Sequence, residues 1–227
     1  MAFSHGTPNS IVIDGLVFCV DPANISSYPR TGATVTDIVG DTTGTLSGEG
    51  GGNNTPQWEN TNGGIFDFDG TDDHIELSPS TLSITGALTI SAWVKTVSST
   101  YQSILIKGDS VSSADYYFRI QDSGKIRFRI GNANYGIGST SVKDGNWHNV
   151  CVVYSPSTSV TYYVDGEQDA QTTSSIPSSI TNEYTNVGIS EKQYFVGNIA
   201  PVQVYNKALS STKVLQNYNA LKNRFRT

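Results

Sequence analysis

The chain has 227 residues, of which 37% are hydrophobic and only 15% charged, with a formal net charge of −6. That length and apolar content support one sizeable core, while the acidic balance excludes the basic footprint of a duplex nucleic-acid binder. No run is long and apolar enough to cross a bilayer, so membrane insertion is not expected, and residues 1–10 lack the basic and apolar regions of a secretory signal.

The 22 glycines and 12 tyrosines favour many strands joined by tight turns. Residues 1–10 read as a short polar arm, and residues 11–227 as a single domain. "IVIDGLVFCVD" (11–21) contains a core strand. The turn-rich passage that follows, with Gly48, Gly50, Gly51 and Gly52 at its centre, reads as a loop crossing one end of the fold. From Gly64 onward, apolar and polar residues alternate. Phe66 and Phe68 share one face of "IFDFDG", Ile75 and Leu77 one face of "HIELS", and Leu88, Ile90, Ala92 and Val94 one face of "LTISAWVK". "YYFRIQDSGKIRFRIG" is a hairpin turning at Asp122, Ser123 and Gly124. "WHNVCVVYS", "SVTYYVDGEQD", "YTNVGIS" and "YFVGNIAPVQVYN" supply the later strands. Roughly ten to fourteen short strands at this turn spacing define an all-β sandwich or barrel. One helix closes the chain, with Val214, Tyr218, Leu221 and Phe225 on one stripe and Ser210 or Ser211 as its cap.

Cys19 and Cys151 both sit in apolar strand sequences and read as buried free thiols, with a single bridge as the alternative. The densest chemistry lies in "FDFDGTDDHIEL" (66–77). Alternation turns Asp67, Asp69, His74 and Glu76 outward and leaves Asp73 in the turn. Three explanations compete: a turn whose Asp side chains bond backbone amides, a calcium site using Asp69, Asp72 and Asp73, and a glycosidase pair such as Asp67 and Asp69. His5, His74 and His148 lack the paired spacing of a zinc site. His148 has no local catalytic partner and reads as a hydrogen-bonded histidine at a strand edge. Tyr28, Trp58, Tyr101 and Tyr135 fall in loop-like sequence and are candidates for stacking on a sugar or a partner.

Taken in order, "GLVFCVDPANISSYP", "GGIFDFDGTDDHIELS", "LTISAWVK", "KDGNWHNVCVVY", "TYYVDGEQ" and "YFVGNIAPVQVYNKALSSTKVLQNYNA" resemble the laminin-G-like branch of the concanavalin-A-like lectin/glucanase superfamily. The resemblance implies a jelly-roll sandwich of two antiparallel sheets with a short C-terminal helix. It also implies sugar or protein binding at the rim loops, sometimes through calcium. Pro201 departs from the usual residue in the closing strand, so a bulge or edge position is expected there. The Glu-x-Asp-x-x-Glu strand motif of the glucanase branch is missing, which implies that the protein is not an enzyme. The chain is also similar to structural proteins of tailed bacteriophages. That likeness implies a virion location, other capsid or tail proteins and a host-surface glycan as partners, and symmetric or homo-oligomeric copies. The alternatives are a calcium-dependent carbohydrate-binding lectin or adhesin and, behind it, a glycan-degrading enzyme.

Overall fold

The computed structural model describes residues 10–40, 42–48, 55–78, 82–110, 112–181, 183, 187–189 and 193–226. The expected arm therefore lies outside the described residues up to position 9, as do Gly50, Gly51 and Gly52. Sixteen strands, one α-helix and a short 3-10 turn (Thr61–Gly63) are described. The strands are β1 (Leu16–Val20), β2 (Thr34–Thr36), β3 (Thr43–Ser47), β4 (Gln57–Glu59), β5 (Ile65–Asp69), β6 (His74–Leu77), β7 (Leu88–Lys95) and β8 (Gln102–Ser110). They continue with β9 (Ser113–Ile120), β10 (Ile126–Ile130), β11 (Ala133–Asn134), β12 (Trp147–Ser155), β13 (Ser159–Val164), β14 (Glu167–Thr172), β15 (Val187–Ile189) and β16 (Val196–Tyr205). The helix is α1 (Ser211–Phe225).

Two antiparallel sheets form the expected jelly-roll-like sandwich. The first runs β14-β13-β12-β7-β16-β5-β4, with β1 also paired to β16; the second runs β11-β10-β9-β8-β15-β6-β3-β2. The strand count exceeds the expected range because β2, β4 and β11 have only two or three residues each. A strand that short shows no alternation to read. The supposed loop after β1 thus contributes β2 and β3, which form an edge of the second sheet.

Alternation fills the space between the sheets. Phe66, Phe68, Ile90, Val94, Val150 and Val152 face Ile75, Leu105, Tyr116, Phe118, Ile126 and Phe128 in one core. The opposite face of the first sheet is apolar only where α1 lies on it. Trp93, Ala200 and Ile65 pack under Phe225, and Cys151, Val153 and Tyr205 under Leu209 and Val214. Ser210 caps α1, its hydroxyl accepting from the Lys213 amide at 3.4 Å. Asn217 is buried and ties the helix to the start of the domain. Its Oδ1 accepts the Val12 amide at 2.7 Å, and its Nδ2 donates to the Tyr205 hydroxyl at 2.9 Å.

Pro201 sits at a register shift between Ala200 and Val202 in the β16–β7 pairing, so the expected bulge is present in a central strand. Both cysteines are free and buried. Register separates them: Cys19 pairs Gln203, Gln203 pairs Ser91 and Ser91 pairs Cys151. Three strand spacings, about 14 Å, keep them beyond disulfide reach.

Candidate functional site

The β5–β6 hairpin presents the carboxylates that the sequence singles out. Phe66 and Phe68 anchor β5 in the core, and Ile75 and Leu77 anchor β6, so the intervening residues are forced into an outer turn. Gly70 adopts φ +78°, and a Cβ there would fall 2.1 Å from Val196 Cγ2, so only glycine fits. One oxygen each from Asp69, Asp72 and Asp73 lies within 4.8 Å of the others.

Backbone donors hold this turn. Asp69 Oδ1 accepts the Thr71 amide at 2.7 Å and the Asp72 amide at 3.4 Å, while Asp73 Oδ2 accepts the Asp69 amide at 2.9 Å. His74 Nδ1 lies 2.7 Å from the Asp72 carbonyl oxygen. Asp73 is 4% exposed. Desolvation, opposed by the Asp69 amide and reinforced by the charges of Asp69, Asp72 and Asp67, pushes its carboxyl up to about 6. Asp67 is half-buried; burial first, then the charge of Glu59, raises its carboxyl, although Asn198 Nδ2 donates to it at 2.6 Å.

The donor set suits a hard cation. Oxygen ligands of one calcium ion at about 2.5 Å can lie up to about 5 Å from each other, and the three carboxylates meet that condition. Bound there, calcium would neutralise the Asp69 and Asp72 charges that add to the effect of burial on Asp73.

The four candidate aromatics are not brought together. Tyr28 is buried, edge-on to Phe66 at 5.1 Å, and its hydroxyl donates to the Gly32 carbonyl. Tyr135 is also buried, and its carbonyl accepts the Tyr162 hydroxyl. These two rings fill the core. Trp58 is partly buried, donates Nε1 to the Pro22 carbonyl at 2.9 Å and lies under Arg30. Tyr101 alone of the four is exposed, at 42%, with the Arg119 guanidinium 4.6 Å from its ring centre.

His148 is held on both sides, by Asp165 at 2.8 Å and Asp144 at 3.2 Å. Sequence spacing hid this pair because Asp165 arrives from the β13–β14 turn. Residues 139 and 140 similarly donate their amides to Asp169, at 2.6 and 2.9 Å, which makes Asp169 a turn anchor.

Residues 69–215 match the concanavalin A-like lectin/glucanases superfamily, and the chain belongs to it. No curated protein sequence gives a significant match. Among solved structures, domain 4 of AbnA, a GH43 extracellular arabinanase from Geobacillus stearothermophilus, has a TM-score of 0.68 at 15% identity; the match covers 89% of this chain and 98% of that one. The receptor-binding domain of botulinum neurotoxin C/D mosaic serotype has a TM-score of 0.68 at 12% identity, covering 90% of this chain and 51% of that one. Trypanosoma rangeli sialidase has a TM-score of 0.64 at 13% identity, covering 95% of this chain and 34% of that one. This chain thus spans about a third of the sialidase and half of the toxin domain.

The non-enzyme expectation is overturned. Chains of a sialidase and an arabinanase share the fold, and the hairpin carries a three-carboxylate cluster of the kind that catalytic and metal sites use. A missing strand motif from one branch does not classify the chain. None of these three structures is a viral component.

Proposed function

We propose that the chain is a carbohydrate-binding module of the lectin type, with calcium held at Asp69, Asp72 and Asp73 ordering the rim beside the glycan. The observation that carries this reading is the meeting of three carboxylates within 4.8 Å on an outer turn of a lectin-family sandwich. Domain 4 of the arabinanase, which the chain matches over nearly its whole length, was solved in complex with arabinotriose. That likeness supports a sugar as the ligand class.

The test is a glycan array probed with the full chain, with calcium and with chelator. Binding that disappears on chelation and returns with calcium is the expected result. Absence of glycan binding in saturating calcium sinks the proposal, and chelator-resistant binding removes its metal part. Reducing-end release in the same incubations reads hydrolysis directly. A virion surface, with capsid or tail proteins as neighbours, is the setting that the phage resemblance suggests; mass spectrometry of purified particles tests it.

A further inference from the structure

Strand register lays one row of side chains across the outer face of the first sheet. Trp147 on β12 pairs Lys95 on β7, Lys95 pairs Asn198 on β16, Asn198 pairs Asp67 on β5, and Asp67 pairs Gln57 on β4. Directly paired residues project on the same side of a sheet. Four strand spacings of about 4.8 Å make this strip about 19 Å long.

The neighbouring row is covered. Trp93 and Ala200 are buried, and Phe225 of α1 stacks on Trp93 at 4.3 Å. The helix ends there, touching only Trp147 of the next row through Phe225 and leaving the rest of that row open. Trp147, Lys95, Asn198 and Asp67 are each partly exposed, and Gln57 is exposed. Beside the helix end, Trp147, Lys95 and Asn198 line a groove of about 530 Å³, together with Asn146, Glu59 and Arg226.

The chemistry of the strip is specific. Trp147 leans on Phe225 at 4.8 Å, fixing the indole as a platform. Lys95 has no ion-pair or hydrogen-bond partner among the described residues, so a donor stands ready in the centre of the row. Asn198 and Asp67 supply an amide and a carboxylate already held to each other at 2.6 Å. Lys95 and Arg226 oppose Glu59 and Asp67 in charge, which suits a ligand without net charge. An extended peptide would instead add along a strand edge, whereas this row crosses the strands.

We propose that this strip is the glycan seat: it takes a linear, uncharged oligosaccharide laid across the strands. One sugar face rests on Trp147, and hydroxyls bond Lys95, Asn198 and Asp67. The proposal rests on the carbohydrate-binding reading and adds the site and the ligand class. Length selects for a chain of sugars over a monosaccharide, because the strip is longer than one ring.

The full chain, in calcium, is titrated with neutral arabino-, xylo-, cello- and malto-oligosaccharides and with an oligogalacturonate, following backbone amides and indole protons by NMR. Resonances of Trp147, Lys95 and Asn198 should move with a neutral series. Trp147→Ala and Lys95→Ala should each bind about tenfold more weakly, while Tyr101→Ala, just ahead of β8 in the other sheet, binds normally. An unchanged melting temperature of Lys95→Ala separates lost binding from misfolding. Oligosaccharide binding with unmoved Trp147 and Lys95 signals overturns the seat and leaves the carbohydrate reading standing. Tighter binding of the oligogalacturonate overturns the uncharged class. Failure of every oligosaccharide to bind overturns both.

Discussion

His148 Nδ1 and Asp165 Oδ2 lie 2.8 Å apart, and the second ring nitrogen faces Asp144 Oδ1 at 3.2 Å. Only an imidazolium can donate to two carboxylates at once, and Asp165, aided by Asp144, raises the histidine above its usual value against the opposing effect of burial. The folded chain therefore binds this proton more tightly than the unfolded chain. The stabilisation is complete below about 6.5, the unfolded value, and is lost as pH rises through the raised folded value. Urea unfolding should show stability falling across that window, and His148→Gln should flatten the fall at a cost of about 1–2 kcal/mol on the acid side.

Asp73 titrates in the same direction for a different reason. Its carboxyl is raised from 3.8 to about 6 by burial, so its proton stabilises the fold at acid pH and that contribution disappears as pH rises through about 6. Asp73→Asn keeps an acceptor for the Asp69 amide and removes the buried charge. Without calcium at neutral pH the variant should gain about 1–2 kcal/mol, and added calcium should raise its melting temperature less than that of the wild type. Calorimetry with and without calcium checks both.

Arg224 joins three parts of the chain. Its Nη1 meets Asp21 at 2.9 Å, its Nε donates to the Asn62 carbonyl at 3.1 Å, and its Nη2 donates to the Gly64 carbonyl at 3.3 Å. Arg224→Ala should cost about 1–3 kcal/mol by thermal unfolding, with only partial recovery in Arg224→Lys, because an ammonium lacks the planar fork.

Gly70→Ala should be worse. A methyl group there meets Val196, and φ +78° strains any L side chain. A loss of at least about 1 kcal/mol is expected, together with weakened calcium response, read by the same calorimetry.

Cys19 and Cys151 should resist thiol reagents in the native state, since burial raises both thiols and withholds the thiolate. Mass spectrometry after alkylation should find both unmodified without denaturant and both modified in it.

Much of the sandwich could be read directly. Alternation in "IFDFDG" and "HIELS" assigns the inward faces of β5 and β6 correctly, because each strand has one buried side. The acidic turn was visible for the same reason. What could not be read depends on register between distant strands. Trp147, Lys95 and Asn198 share no sequence neighbourhood, and their row exists only once β12, β7 and β16 pair. Tyr28 and Tyr135 look like loop aromatics, yet the loops fold them inward. The Lys107–Asp115 ion pair, at 2.8 Å and almost wholly buried, was hidden in the same way. "ILIKGD" shows a lysine among apolar residues but not the carboxylate that β9 brings to it.

The way α1 stops at Phe225 also has a practical consequence. The chain leaves the helix at Arg226, a residue of the groove wall. Near the other end of the described chain, the Ser10 carbonyl accepts the Gln216 side chain at 2.9 Å, more than two helical turns back from that wall. Bulk attached close behind Arg226 starts at the groove wall and would compete with whatever enters the groove. A tether that reaches the fold at Ser10 meets it more than two helical turns from the groove wall, so a sensor holding the protein on that side should give stronger sugar responses than one holding it behind Arg226.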